Sequence, residues 1–251
     1  MPNNNSAVEA RARSRNSILS QLPEAEYATL EKFLVPVDLP LGKQLSEPNQ
    51  PIEYIYLPNS GLISTDALTA KGETVEVGLI GREGFAGLPA LFDQPQMAHT
   101  VVMQGAGEGL RIRSTILRDQ FMKGGVLRDL VHRFVYLQFV QVTQSVLCNR
   151  AHEVEARLAR WLLSSADRTE SESLQLTQEF LAQMLGVQRS TVTVAAGALQ
   201  QQRIISYSRG RIEILDRPGL TAVACECYQI VRASYDRLVQ LGPDGLLRYV
   251  V

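Results

Sequence analysis

The sequence contains few cysteines, few aromatic residues and almost no net charge. Three cysteines among 251 residues, an odd number, do not form a disulfide framework, so a reducing, cytoplasmic environment is expected. The 25 basic and 26 acidic side chains nearly cancel, which argues against a protein that coats nucleic acid or anionic membrane over its whole surface. Residues 1–6 are polar, unlike a signal peptide, and no run approaches the roughly 18 apolar residues of a membrane helix. Secretion and membrane insertion are therefore not expected.

The composition is that of a folded protein with a substantial core. Hydrophobic residues make up 45% of the chain and charged residues 20%, which excludes general disorder. A chain of this length has room for two domains. Residues 1–15 are rich in Asn, Arg and Ser without apolar periodicity and are predicted to be a disordered lead-in.

Residues 16–125 are predicted to form a small antiparallel β domain. Apolar residues at helical spacing between positions 18 and 34 indicate two short helices separated by Pro23. Beyond them, short apolar runs alternate with Gly, Pro and Asn turn signals, the pattern of a barrel or jelly roll. The predicted strands are 52–57, 61–67, 74–80, 100–104 and 109–112.

Residues 126–150 are predicted to form a long helix and a hinge. The absence of Gly and Pro from 126 to 148 favours an unbroken helix with two apolar stripes. One stripe is expected to pack on the β domain and the other on a second copy of the chain, which predicts a homodimer. A core helix of a monomer is the alternative. The stripes are Leu127, Leu130, Phe134 and Leu137, continuing through Gln141, Gln144 and Cys148, and Val131, Val135, Phe139, Val142 and Val146.

Residues 151–220 contain the pattern of a helix-turn-helix. Thr177 is a favourable N-cap for a helix at 178–185, and Gly186 tolerates the positive φ of a tight turn before a second helix at 188–200. Exposed Arg, Gln, Ser and Thr side chains on a second helix can read bases in a major groove. The candidates are Gln188, Arg189, Ser190, Thr191 and Thr193.

A β-hairpin wing is predicted after the second helix. Apolar and polar residues alternate from 204 to 214 on both sides of Arg209-Gly210. Between positions 189 and 217 there are five arginines and two acidic residues, a local basic patch suited to DNA phosphates. Thr177, Ser208, Arg209 and Arg211 are the expected phosphate contacts. The alternative interpretation is an ordinary solvated arginine face.

Taken together, the segments resemble the Crp/Fnr family of bacterial transcription regulators. The resemblance covers about residues 18–220 and is most specific at 176–192, where an Arg in the position of Arg189 reads guanine. It implies an α+β fold: an N-terminal antiparallel β-roll of the cyclic-nucleotide-binding type, a long dimerisation helix and a C-terminal winged helix-turn-helix. It also implies a near-palindromic double-stranded DNA site and RNA polymerase as a candidate partner. Val194 replaces a second Arg common in the family, so the half-site preference does not carry over.

The resemblance also bears on the sensor domain. Cyclic-AMP-binding members use a Glu for the ribose and an Arg for the phosphate, but this chain has Leu88 at the Glu position and Ala98-His99 in place of Arg-Ser. A buried phosphate without its Arg would be unpaired and costly, so cyclic AMP binding is not expected. An unknown effector is expected instead, and the candidate pocket residues are Arg82, Gly87, Leu88 and His99.

The sequence supports no assigned metal site, cofactor or enzyme activity. Family members with an iron–sulfur cluster use several N-terminal cysteines, and here none precedes Cys148. The pairs Cys148-x3-His152 and Cys225-x-Cys227 contain ligand types for zinc or haem iron, but C-x-C on a helix does not place both sulfurs on one face. Buried structural cysteines are the favoured interpretation. Phosphate-loop, nucleophile-elbow and zinc-protease motifs are absent from the sequence.

The C-terminal residues 221–251 are predicted to contain one further helix, covering 220–241, on the basis of an apolar face at helical spacing. The function predicted for the whole chain is sequence-specific transcription regulation. The alternative is a small-molecule-responsive module that acts through protein–protein contacts, because winged helices also bind proteins.

Overall fold

The computed structural model describes residues 14–70 and 74–239. The predicted lead-in at 1–15 lies outside the described residues except for Ser14 and Arg15. The same holds for the part of the predicted C-terminal helix beyond residue 239 and for residues 71–73, between the predicted strands 61–67 and 74–80.

The N-terminal half consists of short helices followed by seven strands. Helices α1 and α2 are separated at Pro23, as predicted, and strands β3 to β7 confirm the five predicted strands with ends shifted by up to two residues. A 3₁₀ helix, Leu88–Phe92, follows β5. The bounds are α1 Ser17–Ser20, α2 Glu24–Glu31, β1 Val35–Leu39, β2 Gln44–Ser46, β3 Tyr54–Pro58, β4 Leu62–Leu68, β5 Thr74–Ile80, β6 Thr100–Gly105 and β7 Gly107–Arg113.

These strands form two antiparallel sheets, of order β1-β7-β3 and β2-β6-β4-β5. Strands β1 and β2 do not appear among the predicted strands. Pro36 lies within β1, and a proline argues against a strand unless that strand is at the edge of a sheet. Among the described strands β1 pairs only with β7, so it is an edge strand. Strand β2 has three residues and an irregular register with β6, too short for a visible alternation.

The C-terminal half is mainly helical, with a small sheet of order β8-β10-β9. The structure confirms the long helix, the two helices around Gly186 and the wing hairpin. The bounds are α3 Ser114–Met122, α4 Val126–Ala151, α5 Val154–Thr169, β8 Ser173–Gln175, α6 Gln178–Leu185, α7 Arg189–Gln201, β9 Ile205–Ser208, β10 Arg211–Ile214, α8 Arg217–Val223 and α9 Cys227–Val239.

The predicted single helix at 220–241 is wrong, because the structure has two helices there. Helix α8 begins at Arg217, where the Asp216 side chain accepts a hydrogen bond from the Gly219 amide at 3.0 Å. Ala224 then adopts an extended conformation (φ −62°, ψ 144°), which ends the helix after one and a half to two turns. Helix α9 starts at Cys227, so Cys225 and Cys227 do not share a helix.

The described residues divide into two compact units: residues 14–63, 80–137 and 235–239 form one, and residues 64–70, 74–79 and 138–234 form the other. The core of the first unit contains the start of α4. Phe134 stacks on Phe85 with ring centroids 5.0 Å apart. Gly84 makes this approach possible, since a Cβ atom there would lie 2.0 Å from the Phe134 ring.

The core of the second unit centres on α5, which buries Leu158, Trp161 and Leu162. The Trp161 indole donates a hydrogen bond of 2.9 Å to Glu76 on β5. Next to Glu76, the Ser64 hydroxyl bonds to the buried Asp66 carboxylate on β4. Two carboxylates therefore belong to the polar part of this core.

Burial of Asp66 makes the free energy of unfolding depend on pH. Burial raises the pKa of its carboxyl above the ordinary 3.8, and the Ser64 hydrogen bond opposes the rise. A raised pKa means that folding favours the protonated carboxyl. The contribution of Asp66 to the free energy of unfolding is therefore fully present below pH 3.8 and declines as the pH rises through the raised pKa. We expect Asp66→Asn to raise the melting temperature at pH 7 and to lose that advantage near pH 4, as measured by thermal unfolding. The exposed Asp119→Asn is the control, and a lower melting temperature for Asp66→Asn at pH 7 would contradict the assignment.

Helix α4 uses its predicted stripes differently. The first stripe is buried within the chain at Leu127, Leu130, Phe134 and Leu137. In the second stripe Val131 is buried, whereas Phe139, Val142 and Val146 are exposed by 65%, 40% and 68%. The distal half of α4 thus carries an apolar face that the described chain does not cover.

Candidate functional site

The helix-turn-helix is built around Gly186. The Thr177 hydroxyl accepts a hydrogen bond from the Phe180 amide at 3.2 Å and thereby caps α6. Helix α6 ends at Gly186 in the left-handed conformation (φ 62°), and the Val187 amide returns to the Ala182 carbonyl at 3.0 Å. This turn sets α7 across α6, as the sequence predicts.

The two helices bury one face of α7 and leave the other to solvent. Small and branched side chains fill the contact, including Ala182 and Leu185 on α6 and Val192, Ala195 and Ala196 on α7. The opposite face carries the predicted base-reading residues. Gln188, Arg189, Ser190 and Thr193 are exposed and Thr191 is half-buried.

Hydrogen bonds between side chains connect the exposed face of α7 to the start of α6. Gln178, the first residue of α6, accepts hydrogen bonds from the Arg189 Nε at 3.4 Å and from the Thr193 hydroxyl at 3.1 Å. The Thr193 hydroxyl also lies 3.1 Å from the Arg189 carbonyl. Sequence reasoning missed Gln178; its place just after the N-cap was the available signal. The network links the Arg189 side chain to the start of α6.

The wing lies beside the N-terminus of α6. The Leu176 amide donates to the Gly210 carbonyl at 2.7 Å, and the Tyr207 hydroxyl donates to the Leu176 carbonyl at 3.0 Å. Arg209 and Gly210 form the hairpin turn with positive φ values of 50° and 77°. Ser208 and Arg209 are exposed at the turn, next to the capping threonine.

Four of the five arginines between positions 189 and 217 fall into two groups, one in internal ion pairs and the other exposed. Arg217 bonds to Asp167 and lies 2.7 Å from Glu172, so it belongs to the internal packing of the unit. Arg211 donates to the Ser173 hydroxyl at 2.8 Å and remains exposed on the wing. Arg189 and Arg209 are exposed; Arg189 bonds to Gln178, the residue after the Thr177 cap, and Arg209 precedes Gly210, where a Cβ atom would lie 3.7 Å from the Thr177 side chain. The predicted basic patch is therefore smaller than the count of arginines suggests.

Two family models match the chain over these same segments. A cyclic nucleotide-binding domain matches residues 36–123, and a Crp-like helix-turn-helix domain matches residues 156–223. The chain belongs to the Crp/Fnr family of transcriptional regulators. Members of this family regulate transcription and are not enzymes, in agreement with the prediction.

Solved structures share the fold of this Crp/Fnr regulator at low sequence identity. FixK2 from Bradyrhizobium japonicum is 15% identical, with 76% of this chain and 98% of that chain covered and a TM-score of 0.66. A CRP-family regulator from Thermus thermophilus is 18% identical, with 75% of this chain and 96% of that chain covered and a TM-score of 0.63. The c-di-GMP-responsive global regulator CLP from Xanthomonas campestris is 16% identical, with 76% of this chain and 99% of that chain covered and a TM-score of 0.60. A comparison with curated proteins gives no match.

Two of the candidate sensor residues of the regulator, Gly87 and Leu88, lie at the start of the 3₁₀ helix. Gly87 caps that helix with φ 101°, and a Cβ atom there would lie 3.1 Å from Ile55. Leu88 and His99 are half-buried, and so is Arg82, whose carbonyl accepts from the Ser17 amide at 2.7 Å. A pocket of about 230 Å³ near the same helix is lined by other residues: Ile52, Ala90, Asp93, Pro95, Ser114, Thr115 and Arg118.

The three cysteines and one histidine of the regulator meet in its second unit. The Cys148 and Cys225 sulfurs lie 3.5 Å apart, and the Cys227 sulfur lies 3.6 Å from the His152 Nδ1. The Cys148–Cys225 hydrogen bond raises the pKa of Cys148 and lowers the pKa of Cys225 to about 5, while burial raises the pKa of Cys227 to about 11. Cys225 precedes α9, so Cys225 and Cys227 do not lie on one helix, and the helical spacing that would separate their side chains does not apply to them.

Among the described residues, no helix combines the length and the apolar content needed to cross a bilayer.

Proposed function

We propose that this Crp/Fnr regulator binds a near-palindromic DNA operator as a homodimer, through the exposed face of α7. The single observation that carries the proposal is Arg189, exposed at the start of α7 and braced by Gln178. An arginine held in advance loses less side-chain entropy on binding. Its guanidinium suits a bidentate contact with guanine O6 and N7.

The remaining base contacts follow from the same helical face. Ser190 and Thr193 neighbour Arg189 on α7, and Gln188 precedes it. Val194 is 74% exposed on α7. An apolar side chain in the major groove fits the methyl group of thymine. We therefore assign Val194 to a thymine.

The wing and the α6 N-terminus supply the sequence-independent contacts. Thr177, Ser208, Arg209 and Arg211 are exposed and flank the base-reading face. Hydroxyl and guanidinium groups at such positions bind phosphate oxygens and fix the register of the protein on the duplex.

The exposed apolar face of α4 supports the dimer. Tyr136, Phe139 and Val146 are exposed and follow the steps of three and seven residues that a coiled-coil seam uses. A second copy of the chain is its occupant in this proposal. Two copies of α7 would then enter successive major grooves about 34 Å apart.

The sensor domain is proposed to respond to an effector other than cyclic AMP. The helix that would carry a ribose-binding carboxylate instead presents Leu88, and Ala98-His99 offers no guanidinium for a cyclic phosphate. Adding cyclic AMP is therefore expected to leave DNA affinity unchanged.

Selection of bound fragments from random duplex DNA tests the proposal. We expect a palindrome whose half-sites are one helical turn apart, with affinity that falls steeply between two salt concentrations. Enrichment of a single, unpaired half-site would contradict the dimer. Absence of enrichment, both for the protein alone and with cell extract as a source of effector, would favour the protein–protein alternative.

A further inference from the structure

Four metal-ligand side chains lie at the two ends of the DNA-binding segment. Cys148 is in the last turn of α4, and His152 directly follows the helix, with its amide donating to the Cys148 carbonyl at 3.2 Å. This bond keeps the helical spacing of four residues, which brings the two side chains to one side. Cys225 lies in the extended link after α8, and Cys227 begins α9. Helices α5 to α8 and the wing lie between these two pairs.

Two of the six distances within the cluster are close to those of a tetrahedral site, and the other four lie within 4.8 Å. All four ligand atoms lie within 4.8 Å of one another. With Zn–S bonds of about 2.3 Å, the sulfur atoms of a tetrahedral site are about 3.7 Å apart. The Cys148–Cys225 and Cys227–His152 separations of 3.5 and 3.6 Å lie close to that edge length. An iron–sulfur cluster holds its thiolates further apart, because several iron atoms lie between them.

The histidine is oriented as a metal ligand. Its Nδ1 faces the Cys227 sulfur, while its Nε2 lies 3.2 Å from the Glu226 carboxylate. A carboxylate that accepts the second ring N–H fixes the tautomer and leaves the other nitrogen as a lone-pair donor, an arrangement common at zinc sites. Glu226 stands between the two cysteines, so the C-E-C segment supplies two ligands and the group that orients a third.

We propose that Cys148, His152, Cys225 and Cys227 form a tetrahedral Cys3His site for Zn²⁺. Three sulfurs and one imidazole select a soft or borderline ion over Mg²⁺ or Ca²⁺. All four positions come from the protein, which is the arrangement of a structural rather than a catalytic zinc site. Bound zinc would join the segment before the DNA-binding helices to the segment after them, since Cys148 and Cys225 are 77 positions apart.

The test begins with the full-length protein purified under reducing conditions. We expect one zinc ion per chain by native mass spectrometry and elemental analysis, removable by a chelator and restored by Zn²⁺ alone. The Co²⁺-loaded protein should show thiolate-to-metal charge transfer and the intense d–d bands of tetrahedral coordination. Zinc should raise the melting temperature of the stripped protein by roughly 5–10 °C.

Variants separate the metal site from a folding defect. Cys227→Ser and His152→Gln should lose stoichiometric zinc and melt like the stripped parent, with or without added Zn²⁺. Glu226→Gln should weaken zinc affinity roughly 10- to 100-fold. His132→Gln, which removes an imidazole elsewhere on α4, should keep one zinc.

Three results would overturn the site. These are a folded, reduced protein that takes up no zinc, a Co²⁺ spectrum of octahedral type, and a Cys148–Cys225 disulfide in the protein as isolated, with no bound metal. Each is measured on the unaltered protein, so a variant that fails to fold leaves the test of the site intact.

Discussion

Replacing Arg189 with alanine is expected to lower affinity for the operator roughly 5- to 150-fold, equivalent to about 1–3 kcal/mol. The loss should be concentrated at one base pair of each half-site, because the proposed contact of the guanidinium is with a single guanine. Binding to scrambled DNA should change far less. Quantitative binding to the selected operator and to single-base variants of it provides the measurement.

Two further variants test the role of Arg189: a control at another exposed arginine and a variant that removes the hydrogen bond from Arg189 to Gln178. Arg128→Ala removes an exposed arginine at the start of α4 and should leave both affinities unchanged. Gln178→Ala keeps the arginine but removes the acceptor of its Nε hydrogen bond, so it should produce a smaller loss at the same base pair. Equal losses on operator and scrambled DNA for Arg189→Ala would show that this arginine contacts phosphate and not a base.

Replacing Phe139 with glutamate is expected to abolish dimerisation and to reduce operator affinity roughly 100-fold or more. The side chain is 65% exposed on the uncovered face of α4, and a two-fold interface would bring two such carboxylates together. Loss of the dimer turns the second half-site contact from an intramolecular into an independent binding event. Sedimentation and titration of operator and single half-site DNA measure both effects.

Leu41→Glu is the control for this substitution. Leu41 is 64% exposed, close to the value for Phe139, but lies between β1 and β2 and not on α4. It should leave the oligomeric state unchanged. A dimeric Phe139→Glu protein with normal operator affinity would show that another surface joins the copies, or that the regulator acts as a monomer.

The helix-turn-helix was predictable residue by residue because its determinants are local. A threonine that caps a helix, a glycine with positive φ and the apolar positions between two crossing helices all lie within 23 residues of sequence. The structure confirms the cap at Thr177, the turn at Gly186 and the exposure of Arg189. Gln178 was missed, since its partners Arg189 and Thr193 lie 11 and 15 residues away and meet it only across the helix crossing.

The C-terminal helix shows where periodicity fails. Apolar residues at helical spacing continue from 220 to 241, so the pattern alone gives one helix. In the structure an extended residue at Ala224 separates α8 from α9, although no proline or glycine marks the break. Packing of Cys225 and Cys227 with Cys148 in one buried cluster accompanies that break.

The sequence by itself determined the order of the segments, the capped helices and turn of the DNA-binding unit, and the membership of the chain in a family of DNA-binding regulators. Those features depend on spacing along the chain and on the backbone preferences of single residues. Only the tertiary structure decided which stripe of α4 is buried, and that Cys148 and His152 meet Cys225 and Cys227. The cysteine and histidine contacts join residues 75 and 77 positions apart, and the contact of Phe134 on α4 with Phe85 is likewise long-range, so their geometry depends on how the intervening elements pack.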